Sequence, residues 1–319
     1  AYDTPCANPV TCNQPNSTTD ARGHVTNYTY NSTHGGVLTI TQPDPDGGGP
    51  AARPQTRFAY AQHYAYYRNS AGSIVQGPSQ IWLLTEVSAC AAGSSCDGTD
   101  NETQTTIVYG TPSVANNLLP TSVTSGSGNP SSPVRATTTS TYTNLGDVET
   151  VDGPLASSAD TTRYRYDAAR QLIGVIGPDP DGGGNLVHRA MRYTYDLDGR
   201  VTVTEQGNVH TQSDANWALF SAPQRLVTSY NSVGLPSRQE LQVNLAPRAI
   251  VQMTYDEANR LSCSALRMNP AVFSSLPASA CTFSTQGADG PDRIDAYSYN
   301  NTDQVLTVAR KLTSSTQVT

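Results

Sequence analysis

The chain has 319 residues, a formal net charge of −7 and a sequence pI near 5.1. Lys311 is its only lysine and the arginines form no basic stripe, so the composition argues against nucleic-acid binding. No apolar run approaches the ~20 residues that a membrane-spanning helix needs, so we expect no membrane span. With 17 Tyr but only 4 Phe and 2 Trp, the chain is poorly supplied for a large apolar core.

A tyrosine-rich pattern begins near the amino terminus and recurs along the chain. In its clearest copy, Tyr193-Thr194-Tyr195-Asp196 is followed by Gly199 and by a run of alternating valines. Alternate residues of a strand point to one face, so each copy predicts a β-hairpin with both tyrosines on the same face. The recurrence predicts a repeat array. In chain order, the repeat residues are Tyr28, Tyr30, Tyr164, Tyr166, Asp167, Tyr193, Tyr195, Asp196, Gly199, Tyr230, Gly234, Tyr255, Asp256, Tyr297 and Tyr299.

The residues after each tyrosine pair predict a turn. Asp or Asn opens it, because the short polar side chain can accept a hydrogen bond from the backbone two residues on. Glycine at the fourth position, as in Gly199 and Gly234, is typical of a type I turn. A single hairpin is marginal in water, so we expect hairpins to pair edge to edge with tyrosines of neighbouring hairpins stacked on one another. The predicted fold is all-β: an array of antiparallel β-hairpins forming a continuous curved or spiralling sheet, shell-like or tube-like.

The array is predicted to have a degenerate and a regular region. Residues 1–136 form the degenerate region, with loops and two local disulfides. Within residues 50–135 the tyrosines lose their Asp and Gly partners, and the repeat register stays open. The Ser/Gly/Pro-rich segment 121–133 is predicted to be a flexible loop. Residues 137–319 form the regular array, in one continuous repeat architecture.

The heptad Pro-Asp-Pro-Asp-Gly-Gly-Gly occurs unchanged at residues 43–49 and 178–184. Paired aspartates followed by glycine resemble part of a calcium loop, which makes Asp44, Asp46, Asp179 and Asp181 candidate metal ligands. The favoured alternative is a rigid turn without a ligand, because proline fixes φ and glycine permits positive φ. We therefore expect no cofactor, with calcium as the alternative.

The six cysteines fall into local couples: Cys6 with Cys12, Cys90 with Cys96, and Cys263 with Cys281. Locality favours these three disulfides among the connectivities that six cysteines allow. Disulfides persist in oxidising surroundings, which indicates an extracellular or cell-surface protein. Free core cysteines in a cytosolic protein are the alternative. A zinc site is less favoured, since no Cys-x-x-Cys occurs.

The Tyr-x-Tyr-Asp-x-x-Gly-Arg-Val/Leu pattern resembles the YD repeats of the RHS (rearrangement hotspot) family. The match is specific at residues 193–203, good at 164–172, 255–261 and 297–306, and recognisable at 28–38 and 230–235. The stretch from Arg267 to Pro270 and on through residues 290–294 also looks like an insert common in bacterial RHS proteins. The resemblance implies a long antiparallel strip of hairpins wound into a hollow shell, which in bacteria often encloses a toxic carboxy-terminal domain.

Catalytic signatures are missing from the sequence. Many RHS proteins cut themselves near an Asp-Pro-x-Gly-Leu motif, but at residues 44–48 and 179–183 glycine replaces the leucine. No histidine is followed by Glu, which argues against a zinc-protease helix, and no Gly-x-Ser-x-Gly elbow occurs. Glu205 and Glu240 could form a glycosidase pair, but surface strand residues are the favoured interpretation. We therefore expect no catalysis.

The leading hypothesis is an extracellular, bacterial structural protein of the RHS/YD-repeat type, a fragment of an array that forms the wall of a shell, tube or fibre. Its expected partners are further repeats of the same chain or identical copies end to end, because exposed strand edges template further pairing. One alternative is the cocoon wall of a polymorphic toxin-delivery protein, with an enclosed toxin domain as partner. Another is a carbohydrate-binding surface adhesin that uses tyrosines as stacking platforms.

Overall fold

The structure is a computed structural model that describes residues 1–2, 5–45, 52–90, 93, 95–157, 159–311 and 316–318. It divides into two compact units, Ala1–Thr161 (unit 1) and Thr162–Thr319 (unit 2). In both units nearly every regular element is an antiparallel β-strand, so the predicted all-β fold of hairpins is confirmed. The predicted change in repeat regularity at residue 137 is a different division and stays a prediction.

In unit 1 each strand pairs in antiparallel fashion with the next strand along the chain. The strands are β1 Ser17–Thr19, β2 Val25–Tyr30, β3 Val37–Thr41, β4 Gln55–Arg68, β5 Ile74–Cys90, β6 Glu102–Tyr109, β7 Pro120–Ser127, β8 Arg135–Tyr142 and β9 Val148–Asp152.

Unit 2 follows the same rule of consecutive antiparallel pairing. Its elements are β10 Thr162–Tyr166, β11 Leu172–Ile176, β12 His188–Tyr195, β13 Val201–Val209, α1 Asp214–Ala218, β14 Ser221–Tyr230, β15 Pro236–Val243, β16 Ala246–Tyr255, β17 Leu261–Arg267, a 3₁₀ turn at Pro270–Val272, β18 Arg293–Tyr299, β19 Val305–Lys311 and β20 Thr316–Val318. The helices of the described chain are too short to span a membrane.

The prediction of a flexible loop at residues 121–133 is wrong for the first half of that segment. Strand β7 occupies Pro120–Ser127 and pairs with β6 on one side and β8 on the other. Hydroxyl pairs bridge these strands, Thr105 with Ser125 at 2.9 Å and Thr124 with Thr137 at 2.8 Å. Such cross-strand pairs stabilise a sheet, so serine and threonine here belong to a strand.

Apolar packing in unit 2 occurs where connectors cover the sheet. After β13, Trp217 and Phe220 pack against Ile176 and Ala190. A Cβ at Gly174 would lie 2.6 Å from the Trp217 ring, so glycine lets α1 lie against β11. A second cluster joins residues of β17 and β18 to the connector between them: Cys263, Ala265, Ala280 and Ile294.

Candidate functional site

The turn between β12 and β13 shows what the Tyr-Asp motif does. The Asp196 carboxylate accepts the backbone N–H groups of Asp198 at 3.0 Å and Arg200 at 2.9 Å. The Gly199 N–H donates to the Asp196 carbonyl at 3.1 Å, and Gly199 has a φ of +79°. This is a type I turn closed by a residue in the left-handed region. The same pattern, with a side chain accepting two N–H groups, recurs at Asp20, Asn69, Thr143, Asp167, Asn231, Asp256 and Asn300.

Glycine is absent from the fourth turn position of some hairpins. Arg170, Asn259 and Asp303 occupy it with φ values of 65°, 63° and 61°. A residue with a Cβ costs about 1–2 kcal/mol in this left-handed region, and only Asn and Asp tolerate it routinely. Arg170 is therefore the least suited of the three to its turn.

The turn aspartates are held in their charged form. The backbone N–H of Arg200 is the largest cause of a lowered pKa at Asp196, followed by the hydrogen bond from the Arg200 side chain. The pKa of Asp256 is lowered in the same way by Arg260. In these hairpins the carboxylate anion is part of the turn.

The second tyrosine of each motif reaches the preceding hairpin. The Tyr195 hydroxyl donates to the Leu172 carbonyl at 2.7 Å, and the Tyr255 hydroxyl donates to the Pro236 carbonyl at 2.8 Å. Each acceptor is the first residue of the preceding hairpin's second strand. We call these hydroxyl–carbonyl bonds the tyrosine ladder. Its other described members are Tyr30, Tyr60, Tyr109, Tyr142, Tyr230 and Tyr299.

The tyrosine ladder keeps one register at each junction, meaning the pairing of two strands from successive hairpins. On the turn side, pairing of β13 with β14 stops at Val203 and Val227. Tyr230 lies three residues beyond Val227, and its acceptor Val201 lies two residues before Val203. The same offset recurs at the other junctions with a described ladder bond. The hydroxyl thus satisfies a carbonyl that the pairing between hairpins does not reach.

A β-bulge precedes each ladder tyrosine. Thr194 pairs with Val203 but Tyr195 pairs with Val201, so one residue of β13 is left over. A bulge re-aims the next side chain and increases the local twist, which turns the ring toward the neighbouring hairpin. The same irregularity precedes Tyr30, Tyr60, Tyr109, Tyr142, Tyr166, Tyr230, Tyr255 and Tyr299.

The ladder identifies two repeats that the sequence pattern missed. Tyr60 and Tyr109 have the hydroxyl bond, the offset and the bulge, although neither has Asp as its next residue or Gly four residues on. Hairpin β4–β5 continues past Tyr60, and its turn runs from Asn69 to Gly72. The register of residues 50–135, open in the sequence, is therefore set by these two tyrosines. The turn spacing of Asn69 and Gly72 was the available signal, but it lies away from its tyrosine.

Two ladder tyrosines of unit 2, Tyr230 and Tyr299, contact arginines. The Arg200 guanidinium lies 4.9 Å from the Tyr230 ring centre, and Arg260 lies 4.7 Å from that of Tyr299. No tyrosine pair stacks among the described residues, so the expected tyrosine–tyrosine stacking is wrong. Successive ladder tyrosines stand two strands apart, about 9–10 Å, whereas aromatic pairs need about 4.5–7 Å. The arginine after the preceding turn fills that space.

In unit 1, histidines contact the corresponding tyrosines. The His34 ring centre lies 4.7 Å from Tyr60 and 4.6 Å from Trp82. The His63 ring centre lies 5.4 Å from Tyr109. Nε2 of both imidazoles is buried and has no hydrogen-bond partner in the described part of the chain.

The cysteine couples favoured by the sequence are the pairs that the structure bonds: Cys6 with Cys12, Cys90 with Cys96, and Cys263 with Cys281. The last pair fixes the connector between β17 and β18 to β17.

The same connector contains a buried ion pair. Nη1 of Arg267 donates to Oδ2 of Asp292 at 2.6 Å, and the side chains are 0% and 1% exposed. Burial alone would raise the pKa of Asp292, but the N–H groups of Ser284 and Met268 and the guanidinium hold it below its usual value. Sequence reasoning noted this stretch only as an RHS-like insert, because nothing in the spacing of Arg267 and Asp292 marks them as partners.

The second aspartate heptad forms a turn held by its own carboxylates. Asp179 accepts the Asp181 N–H at 3.2 Å, which is the main cause of a lowered pKa at Asp179. Asp181 accepts the N–H groups of Gly184 at 3.1 Å and Leu186 at 3.0 Å. In the first heptad Asp46 lies outside the described residues. Within the described chain no group of three or more metal-ligating side chains occurs around Asp44 or elsewhere. These contacts favour the rigid turn.

Both glutamates of the candidate glycosidase pair have side-chain partners on the sheet. Glu205 pairs with Arg192 at 2.6 Å, and Glu240 contacts Arg238 and Gln242. Both carboxylates thus have cationic or amide partners on neighbouring strand positions, which fits their interpretation as structural strand residues.

The comparisons with known proteins give matches among solved structures alone. No protein-family model matches the chain, and no curated protein matches it. The chain is similar to crystal structures of TcdB2–TccC3 and of TcdB2–TccC3–Cdc42, each at 14% identity and a TM-score of 0.36. It is also similar to a Tc holotoxin pore of Photorhabdus luminescens with a mutated TccC3, at 14% identity and a TM-score of 0.35. These matches cover 95% of this chain but only 18% or 19% of the longer chains.

Proposed function

We propose that this chain is a wall-forming segment of an extracellular, bacterial RHS/YD-repeat protein, and that it catalyses no reaction of its own. The tyrosine ladder carries the proposal. It joins each hairpin to the one before it at a constant offset, whatever the length of the turn or connector. A contact that recurs in this way allows one hairpin after another to be added to the same sheet.

The recurring polar groups of the motif bond to other parts of the array. In the hairpin of Tyr195, the hydroxyl is donated to the previous hairpin and Asp196 accepts backbone N–H groups of its turn. Arg200 lies on the ring of Tyr230, in the next hairpin. Each hydroxyl bond contributes about 0.5–1.5 kcal/mol net. The sum over neighbours supports a sheet that has small apolar clusters instead of one large core.

The disulfides support an extracytoplasmic location. The three disulfides join segments that are close in the chain, and such bridges stabilise a protein with a small apolar core. They persist where thiols stay oxidised. The cocoon of a toxin-delivery protein remains the alternative within the same architecture, and it differs in having a toxin domain enclosed by the wall.

Electron microscopy of the full-length protein tests the proposal. We expect a continuous wall built from paired hairpins. A double variant, Tyr195→Phe with Tyr255→Phe, removes two ladder hydroxyls and should make the particles fragile toward protease at the β11–β12 and β15–β16 junctions. The control, Tyr193→Phe with Tyr297→Phe, alters the first tyrosine of two motifs, on β12 and β18, and neither is among the described ladder members.

Different images lead to different conclusions. A hollow particle with a folded domain inside favours the cocoon alternative, and an open strip or fibre favours the purely structural protein. Isolated single chains, or equal protease resistance of both double variants, would contradict the wall.

A further inference from the structure

The histidines of unit 1 occupy the place that arginines have in unit 2, over ladder tyrosines. An arginine is charged at every physiological pH, whereas histidine changes charge between about pH 5 and 8. We propose that His34 and His63 form a proton-sensitive lock, which loosens the junctions of Tyr60 and Tyr109 when the pH falls from about 7.5 to about 5.5. The lock is a property of contacts within unit 1 and holds whether or not the chain is part of a wall.

The hydrogen bond at His34 defines its neutral form. The backbone N–H of Gly36 donates to Nδ1 of His34 at 3.1 Å, so Nδ1 has no proton and the ring hydrogen is on Nε2. An imidazolium has a hydrogen on both nitrogens. Protonation would therefore set the Nδ1 hydrogen against the Gly36 hydrogen and abolish the bond.

The surroundings of His34 offer the cation no replacement acceptor. Its ring lies between Tyr60 and Trp82, and a Cβ at Gly36 would meet the His34 ring at 2.7 Å and the Tyr60 ring at 2.9 Å. Nε2 is buried without a partner. The faces of Tyr60 and Trp82 attract a cation, but they do not accept the two hydrogens in the plane of the imidazolium.

No carboxylate compensates either histidine. Within the described chain the one ion pair that involves a histidine joins His24 to Asp20. The titratable groups in ring contact with His34 and His63 are Tyr60 and Tyr109, and tyrosine is uncharged in this pH range. Buried Nε2 of His63 likewise lacks a partner. Protonation of either ring therefore adds a hydrogen-bond donor to a contact that offers no acceptor to Nε2 among the described residues.

Loss of the histidine–tyrosine contacts directly affects two bonds of the tyrosine ladder. Tyr60 donates to the Val37 carbonyl at 3.1 Å, which joins hairpin β4–β5 to β3. Tyr109 donates to the Leu84 carbonyl at 2.8 Å, which joins β6 to β5. When the histidine leaves, each tyrosine ring loses the group packed on it, and the turn side of its junction opens. In unit 2 Arg200 and Arg260 keep their charge, so the junctions of Tyr230 and Tyr299 do not respond.

Hydrogen exchange of the whole chain tests the lock. Amide exchange is measured at pH 7.5 and 5.5 and corrected for the intrinsic pH dependence of exchange, with the amides of unit 2 as the internal reference. We expect amides of β3 to β6 next to the two junctions to lose protection at pH 5.5 relative to the amides of unit 2 next to Tyr230 and Tyr299, because local opening exposes them to exchange. Equal changes in both units would overturn the proposal.

The variant His34→Gln with His63→Gln replaces both imidazoles by amides, and an amide oxygen can still accept the Gly36 N–H. Its protection should no longer depend on pH in this range. His210→Gln is the control, since His210 is exposed in unit 2, and it should keep the wild-type response. Persistence of the acid effect in the double variant would also overturn the proposal.

If the double variant fails to fold, a second measurement uses a chain in which both histidines are kept. In Trp217→Phe, Trp82 is the one remaining tryptophan and lies on His34. Its fluorescence should change between pH 7.5 and 5.5, and a flat profile would contradict release of the His34 ring.

Discussion

Units 1 and 2 share the tyrosine ladder and the bulge before each tyrosine, but they differ in the charged groups around them. Neutral residues open turns in both units, such as Asn69 in unit 1 and Asn231 in unit 2. In unit 2 Asp196 and Asp256 also pair with an arginine that covers the next ladder tyrosine. The hairpin geometry therefore needs an acceptor in the turn and a hydroxyl on the strand. The Asp-Gly-Arg combination is one way to complete it.

The units also differ in how deeply their ion pairs are buried. Arg267 and Asp292 in unit 2 are almost fully buried, while Arg57, which pairs with Glu102 in unit 1, is 23% exposed. This difference predicts unequal costs when one partner is removed.

The largest expected effect comes from Arg267→Ala. It leaves Asp292 buried without its cation, which costs about 3–5 kcal/mol of the free energy of unfolding. Arg310→Ala is the control, because Arg310 is 62% exposed in its pair with Asp295, and such pairs contribute about 0–1 kcal/mol. Urea denaturation measures both, and Arg57→Ala should lie between them. Equal losses for Arg267→Ala and Arg310→Ala would contradict the role of burial.

The next effect tests what the units share. Tyr195→Phe in unit 2 and Tyr60→Phe in unit 1 each remove one ladder hydroxyl and should cost about 1 kcal/mol. Tyr193→Phe should stay within about 0.5 kcal/mol, as for a surface substitution, since in the described chain its hydroxyl bonds to the sulfur of Met191 and not to a carbonyl of another hairpin. A cost in unit 2 alone would show that the ladder is not common to both units.

A smaller effect is expected at the fourth turn position. Gly199→Ala and Gly72→Ala place a Cβ at φ values of +79° and should each cost about 1 kcal/mol. Arg170→Gly is the reverse change and should stabilise by somewhat less, because glycine also increases the entropy of the unfolded chain. Thermal unfolding gives the order of the three variants, and a destabilising Arg170→Gly would contradict the strain assigned to this turn.

The smallest effect is acid sensitivity of the turns below about pH 4. The folded-state pKa values of Asp196 and Asp256 are lowered, so their contribution is present above the unfolded value and is lost as the pH falls through the folded one. Asp196→Asn with Asp256→Asn should flatten the decline of the urea midpoint between pH 5 and 2. The double variant Asn31→Ala with Asn69→Ala lowers stability at every pH by a similar amount, because an amide does not titrate in this range. A decline that is unchanged in the aspartate variant would rule out these carboxylates as its source.

Local residue patterns were enough to predict the hairpins and their turns. Tyr195, Asp196 and Gly199 lie within one turn of chain, so their spacing determines their contacts. Tyr60 was missed because its turn begins at Asn69, beyond the extension of β4. Tyrosine stacking was wrongly predicted at Tyr230 because spacing along the chain does not show the width of the intervening strand. That width leaves room for Arg200 over the ring.

Because of the bulge before each ladder tyrosine, the length of a hairpin does not affect how it joins the preceding hairpin. Hairpin β4–β5 extends its strands beyond Tyr60 and still meets β3 at the usual offset. The turn from Asn69 to Gly72 is thus carried on an extension that leaves the junction behind it unchanged. The bulge lets hairpins of different length follow one another with the same attachment.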